Sequence, residues 1–285
     1  MIKRDQNIVI LLMICLILCT ACSQTQDAPL LPQILESDED RAGCVINSPP
    51  EDINVKPFYT KYCDAFGIPI LASEEVEDRA LQQAYYIINN MLGPIPEVRQ
   101  QLVSRSYYVA VIGLTEELTD LPEYRHMNKQ YWNWRAKALG GSKKTKITSA
   151  AEENMLCFRR DRYYGENILV HEFAHTIHLA GLGTDYNEFN QELETLYKSA
   201  LDSGLWENTY AGENHLEYWA EGLQTYFNAN IESNPGDGVH NRINTREELA
   251  EYDPTLYNFI SDFYHGFEWT PTCPTQENLS ESNTN

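Results

Sequence analysis

Residues 167–176 read Asn-Ile-Leu-Val-His-Glu-Phe-Ala-His-Thr, followed by Ile177-His178-Leu179 and, just beyond, Gly181 and Gly183. Apolar residues recur at helical spacing and no proline interrupts them, so a helix is expected over Ile168–Leu179. On it His171 and His175 lie one turn apart on one face, where both imidazoles reach one ion. Zinc takes imidazole nitrogen at about 2.0–2.1 Å and keeps a position open when three protein ligands hold it. Glu172, beside the first His, is placed to take a proton from a zinc-activated water as general base and return it as acid.

His171-Glu172-Phe173-Ala174-His175 thus has the H-E-x-x-H pattern of zinc peptidases, and a third ligand is needed. His178 is seven residues from His171 and points the same way, but helix rise carries it about 10 Å along the axis. It is expected to pack or to support the site from behind. The longer three-histidine pattern is absent, because His178 stands at its Gly position and Gly181 at its last His. Downstream, Glu217-Tyr218-Trp219-Ala220-Glu221-Gly222-Leu223 sets two carboxylates at i and i+4 on one helical face. Either Glu217 or Glu221 is a fitting third ligand; the other would then orient a ligand histidine by accepting its second N–H. A solvated acidic face is the competing reading. Trp219, Leu223 and Phe227 argue for a partly buried helix, and buried carboxylates usually have partners.

At these residues the chain resembles the gluzincin metallopeptidases, and among them the catalytic domain of anthrax lethal factor and its Pro-Pro endopeptidase relatives. The similarity is confined to His171–His175 and the stretch Tyr210–Leu223. The resemblance implies that Glu217 is the zinc ligand and Glu221 an outer support. It also implies that Tyr210, seven residues before Glu217, stabilises the developing oxyanion. A phenol donating there supplies several kcal/mol when preorganised, although the chain has 18 tyrosines and most must be structural. The implied fold is a gluzincin-like α+β domain with a small strand-containing upper part, a helical lower part and the zinc site in the cleft between them. An edge strand before the active helix would bind substrate backbone by strand addition, and Met155–Phe158 is the stretch expected to do so.

Other elements follow from periodicity. Helices are expected over residues 74–92, stopped by Gly93-Pro94, over Glu188–Leu201, over Leu216–Ala229, and over Glu247–Tyr264 with a break at Asp253-Pro254. Tyr107–Gly113 reads as a buried strand, and residues 120–148 as irregular. Strands early and helices late point to α+β. His215 is a weak candidate for substrate contact; His126, His240 and His265 stand in no motif.

Lys3 and Arg4 precede an apolar run, Ile8–Leu18, and the small-residue stretch Cys19-Thr20-Ala21-Cys22-Ser23. Residues 1–22 therefore read as a signal peptide, too short for a comfortable membrane span. Thr20-Ala21-Cys22 also resembles a bacterial lipobox, which leaves two outcomes open: free secretion, or membrane attachment through a lipidated Cys22. Residues 23–43 form an acidic linker, 44–273 a single domain and 274–285 a tail. The four remaining cysteines fit two disulfides in an oxidising compartment. Cys44–Cys63 closes a short loop and Cys157–Cys273 ties down the C-terminus, so this pairing is preferred among three.

The net charge of -21 excludes a nucleic-acid binder. The expectation is a secreted or surface-anchored peptidase with Zn2+ as cofactor and a protein or peptide as substrate. The alternatives are an inactive zinc-containing binding protein, against which the presence of Glu172 speaks, and a zinc amide hydrolase acting on a non-peptide or cell-wall substrate.

Overall fold

The computed structural model describes Arg41 and residues 43–274. The expected signal peptide, residues 23–40 of the linker and residues 275–285 of the tail lie outside those residues.

Lys61–Ala65 (β1) and Ile68–Ala72 (β2) form an antiparallel hairpin. Its turn places Phe66 and Gly67 at φ 51° and 90°, the left-handed pair a two-residue hairpin turn demands. The Asp64 carboxylate accepts the Gly67 N–H at 3.0 Å. Two helices, Asp78–Leu92 (α1) and Pro96–Ser104 (α2), then cross over to Tyr108–Ile112 (β3), which runs parallel to β2. Ile147–Ala151 (β4) adds parallel to β3, giving a mixed sheet in the order β1-β2-β3-β4. Leu139 makes an antiparallel bridge to Ser149, so the segment leading to Gly140 lies along the β4 side of the sheet.

Strand alternation splits the apolar residues between two cores. Ile70, Ala72, Val109, Val111 and Ala150 face the helices, whereas Leu71, Ala110, Ile112 and Ile147 face a smaller cluster with Tyr59, Leu118, Leu121 and Tyr124. The helical part holds Ile168–Thr176 (α5), Tyr186–Asp202 (α6), His215–Tyr226 (α7), Arg246–Tyr252 (α8) and Pro254–Phe263 (α9). The expected α+β class holds. The break at Asp253-Pro254 falls where expected. Asp253 caps α9 by accepting the Leu256 N–H at 3.0 Å and also accepts the Trp206 indole and Tyr218 hydroxyl.

Several expectations are corrected. Met155–Phe158 is not a strand: Glu152–Met155 is a short helix (α4), and Cys157 sits at φ 57°, which no strand accommodates. The Glu152 carboxylate accepts the N–H groups of Glu77 and Leu114, pinning α4 beneath the sheet. The strand before the active helix is β4, whose Ile-Thr-Ser-Ala-Ala sequence is too short-chained to read as one. Residues 120–148 are not wholly irregular, since Lys129–Arg135 (α3) begins at Asn128, whose side chain accepts the Tyr131 N–H.

Both expected disulfides are present, Cys44–Cys63 and Cys157–Cys273. They fit an oxidising, extracellular environment.

The helix bearing His171 stops being α-helical at Thr176 and widens into a π-helical turn, Ile177–Gly181. The turn sends His178 into the protein, fully buried, with its Nε2 at 3.1 Å from Asn190 Oδ1 and its ring among Tyr186, Phe189 and Trp219. His178 is thus a packing residue, as expected. Burial, aided by the neighbouring His215, lowers its pKa to about 3. Its unfolded value is near 6.5, so between pH 6.5 and 3 the unfolded chain binds the extra proton and stability is lost as pH is lowered. Urea midpoints are expected to drop as pH is lowered from 7 to 5. His178→Phe, which cannot titrate, should flatten that dependence by an amount on the order of 2 kcal/mol.

Candidate metal centre and active site

Helix α5 begins at Asn167, whose side chain accepts the Val170 N–H, while Asn154 Oδ1 accepts the Ile168 N–H at 2.8 Å. Leu169, Val170, Phe173 and Ala174 fill the core side of this helix. His171, Glu172 and His175 are left facing a cleft of about 960 Å³. Helix α7 begins at Asn214, which accepts the N–H groups of Leu216 and Glu217. Glu217 sits in its first turn, where the helix dipole favours a carboxylate.

The two helices are locked together by Trp219. Its ring is fully buried, contributing on the order of 3 kcal/mol, and its indole N–H donates to Ala174 O at 2.8 Å. This crossing brings Glu217 Oε2 to 3.2 Å from His171 Nε2 and 3.1 Å from His175 Nε2. Ligands at about 2.05 Å from a tetrahedral zinc lie about 3.3 Å apart, so the three groups fit such an ion. Without an ion, burial works against the charges on Glu217 and His171. The mutual contacts outweigh it, holding the carboxyl below its usual range and lifting His171 well above its own.

Glu221 lies on the other side of the His171 ring. Its Oε1 is 3.1 Å from His171 Nδ1, and its Oε2 accepts the Asn230 amide. Of the two carboxylates, Glu217 is the one whose Oε2 stands beside the Nε2 atoms of both histidines, whereas Glu221 meets Nδ1 of His171. Gln224 is a partner that sequence reading missed. Its Oε1 is 3.1 Å from His171 Nδ1, while its Nε2 donates towards Glu166, Asn167 O and Ala229 O. Three residues past Glu221, it continues the same helical face, and that spacing was the available signal.

Glu172 is half-buried against the segment that bridges to β4. Burial raises its pKa; the two histidines and the Gly140 amide pull the other way, while Glu217 adds to the rise. A Cβ on Gly140 would stand 2.7 Å from Glu172 O and 2.8 Å from His175 Cβ. The neighbouring Gly141 N–H donates to Thr176 Oγ1 at 2.7 Å, so this strap cannot retreat freely. Gly140→Ala is therefore expected to destabilise the protein by about 1–3 kcal/mol, read as a lower thermal midpoint.

Tyr210 opens a 3-10 turn, Tyr210–Gly212, whose position is fixed by its N–H donating to Val239 O at 2.8 Å. Its ring stacks on His171 with centroids 6.1 Å apart, and its hydroxyl accepts from Arg135 Nη2 at 3.2 Å. Burial raises its pKa, as does Glu217, keeping the phenol protonated. His215 turns towards Asn190 and Glu194 and is not among the residues lining the cleft. His240, which no motif marked, does line it, held between Glu166 and Asp237. Burial opposes its charge, but Glu166 first, then Glu221 and Asp237, raise its pKa to about 9.

His171, Glu172, His175, Tyr210, Glu217 and Glu221 thus share one cleft, brought together from three segments of chain. No protein-family model matches this chain, and no curated protein is significantly similar to it.

Proposed function

We propose that this protein is a secreted zinc peptidase of gluzincin type, hydrolysing peptide bonds in the cleft above His171 and His175. The observation that carries the reading is the meeting of His171 Nε2, His175 Nε2 and Glu217 Oε2 at tetrahedral-edge distances with a half-buried Glu172 beside them. Zinc binding alone requires no further carboxylate with a raised pKa beside the ligand set, so Glu172 favours an enzyme over a binding protein.

His171, His175 and Glu217 would hold the ion. A zinc ion so held polarises a carbonyl and acidifies water. Glu172 takes the proton from the attacking water and passes it to the leaving nitrogen, a role that suits a carboxylate whose pKa burial has raised. The Tyr210 hydroxyl donates to the carbonyl oxygen as it gains charge, and Arg135 orients that hydroxyl by donating to it. Glu221 and Gln224 hold the His171 ring by its Nδ1. The extended segment leading to Gly140 lines the cleft beside Glu172, where a substrate backbone would run.

Zinc content by elemental analysis and cleavage of a mixed peptide library test this. One zinc per chain, and cleavage lost on chelation and regained with zinc, are expected. Cleavage that persists in metal-free protein would refute the proposal. Tyr210→Phe should lower kcat on the order of 100-fold with zinc still bound; unchanged kcat would remove Tyr210 from the mechanism.

A further inference from the structure

Charge is distributed very unevenly along this acidic chain. Ten of the 21 Lys and Arg residues fall between Arg125 and Arg162, among only three acidic residues, Glu152, Glu153 and Asp161. Those three are buried, each with its partners: Glu152 binds backbone N–H groups, Glu153 pairs with the buried Lys137, and Asp161 accepts from Asn154. The other nine cations, Lys137 apart, are all exposed. The surface contributed by this segment is therefore purely cationic, on a protein of net charge -21.

Part of this segment, Tyr131–Gly140 together with Arg162, forms one wall of the cleft. Arg135 and Arg162 line it directly. Arg162 donates towards Asn133 O and Trp134 O, which fixes its guanidinium against the last turn of α3. Trp134, 75% exposed, lines the cleft with the two arginines and accepts from Arg162 through its backbone oxygen. Arg159 and Arg160, three and two residues before Arg162, line a separate depression with Tyr164. The floor of the cleft carries the opposite sign in Glu166, Glu172, Glu217 and Glu221, and these carboxylates are committed to His171, His175, His240, Gln224 and the Gly140 amide.

We propose that the cleft selects acidic peptides, with Asp or Glu side chains near the scissile bond held by Arg135 and Arg162 and the Arg159–Arg160 pair engaging a further carboxylate. The inference rests on the peptidase reading and names its substrate class. Guanidinium forks pair with carboxylates in two parallel hydrogen bonds, and their charge is permanent. A short acidic peptide meets this local patch within one Debye length, about 8 Å at physiological salt. A long polyanion must also approach the acidic remainder of the molecule, which carries 39 of the 42 Asp and Glu residues.

The test measures binding and cleavage separately. Zinc-loaded Glu172→Gln protein is titrated with a fluorescent Asp/Glu-rich peptide and with its Asn/Gln counterpart. At least tenfold tighter binding of the acidic peptide is expected, shrinking severalfold at 0.5 M salt. The combined change Arg159→Glu, Arg160→Glu and Arg162→Glu should abolish the preference, and Arg162→Gln alone should reduce it. Lys198→Glu, which reverses a charge on α6 at a residue that does not line the cleft, should leave it intact. In wild-type protein, kcat/KM should favour the acidic peptide through KM. Equal binding of both peptides would overturn the proposal, as would tighter binding of a sulfated glycan of equal charge. Salt-sensitive acidic-peptide binding with no cleavage by wild type would retain this surface and overturn only the peptidase reading.

Discussion

Wild-type protein cuts members of a mixed peptide library, and Glu172→Gln protein cuts none above background: this is the largest effect expected of any single substitution. Glutamine keeps the shape of the side chain and can still accept the Gly140 N–H, so the packing of that strap on α5 is preserved. What disappears is the proton acceptor, a loss on the order of 100- to 10,000-fold in kcat. Zinc content and thermal midpoint should match wild type, which separates a chemical defect from a folding defect. A variant as active as wild type would strip Glu172 of its role. If neither protein cuts anything, an inactive binding protein becomes the leading account.

The second large effect distinguishes the two carboxylates of α7. Glu217→Gln is expected to lose zinc outright, because among the described residues Glu217 Oε2 is the carboxylate oxygen that meets both Nε2 atoms. Glu221 cannot replace it, being engaged at His171 Nδ1 on the opposite edge of the ring. Glu221→Gln should instead keep the metal with affinity lowered roughly 10- to 100-fold, the usual consequence of losing an outer support. Gln224 still accepts from the same Nδ1 and limits the damage. Metal titration of both variants reads the contrast directly. Equal zinc affinity in the two would mean the ion sits elsewhere.

Much of the site was legible before any fold was known. His171, Glu172 and His175 are related by one helical turn, and a helix of four residues or more fixes their relative direction wherever it is packed. The same holds for Glu217 and Glu221 as a pair, and for helices such as α1, α6 and α9, whose apolar spacing repeats over several turns. The strands were read less well. β4 has small side chains and no alternation, since both of its faces are buried, and the hairpin β1–β2 was missed because Pro69 interrupts its apolar run.

What sequence spacing left undecided depended on how separate elements cross. Which of Glu217 and Glu221 meets the histidines is set by the angle and register at which α7 passes α5, and Trp219 holds that register with its bond to Ala174 O. The reach of Gln224 to His171, of Gly140 to Glu172 and of His240 into the cleft likewise spans chain separations that no local pattern encodes. The residue types, and with them the available chemistry, were written in two helical motifs. Their assembly into one site, with a cationic wall beside it, is a property of long-range packing, where burial of apolar faces decides which polar edges meet.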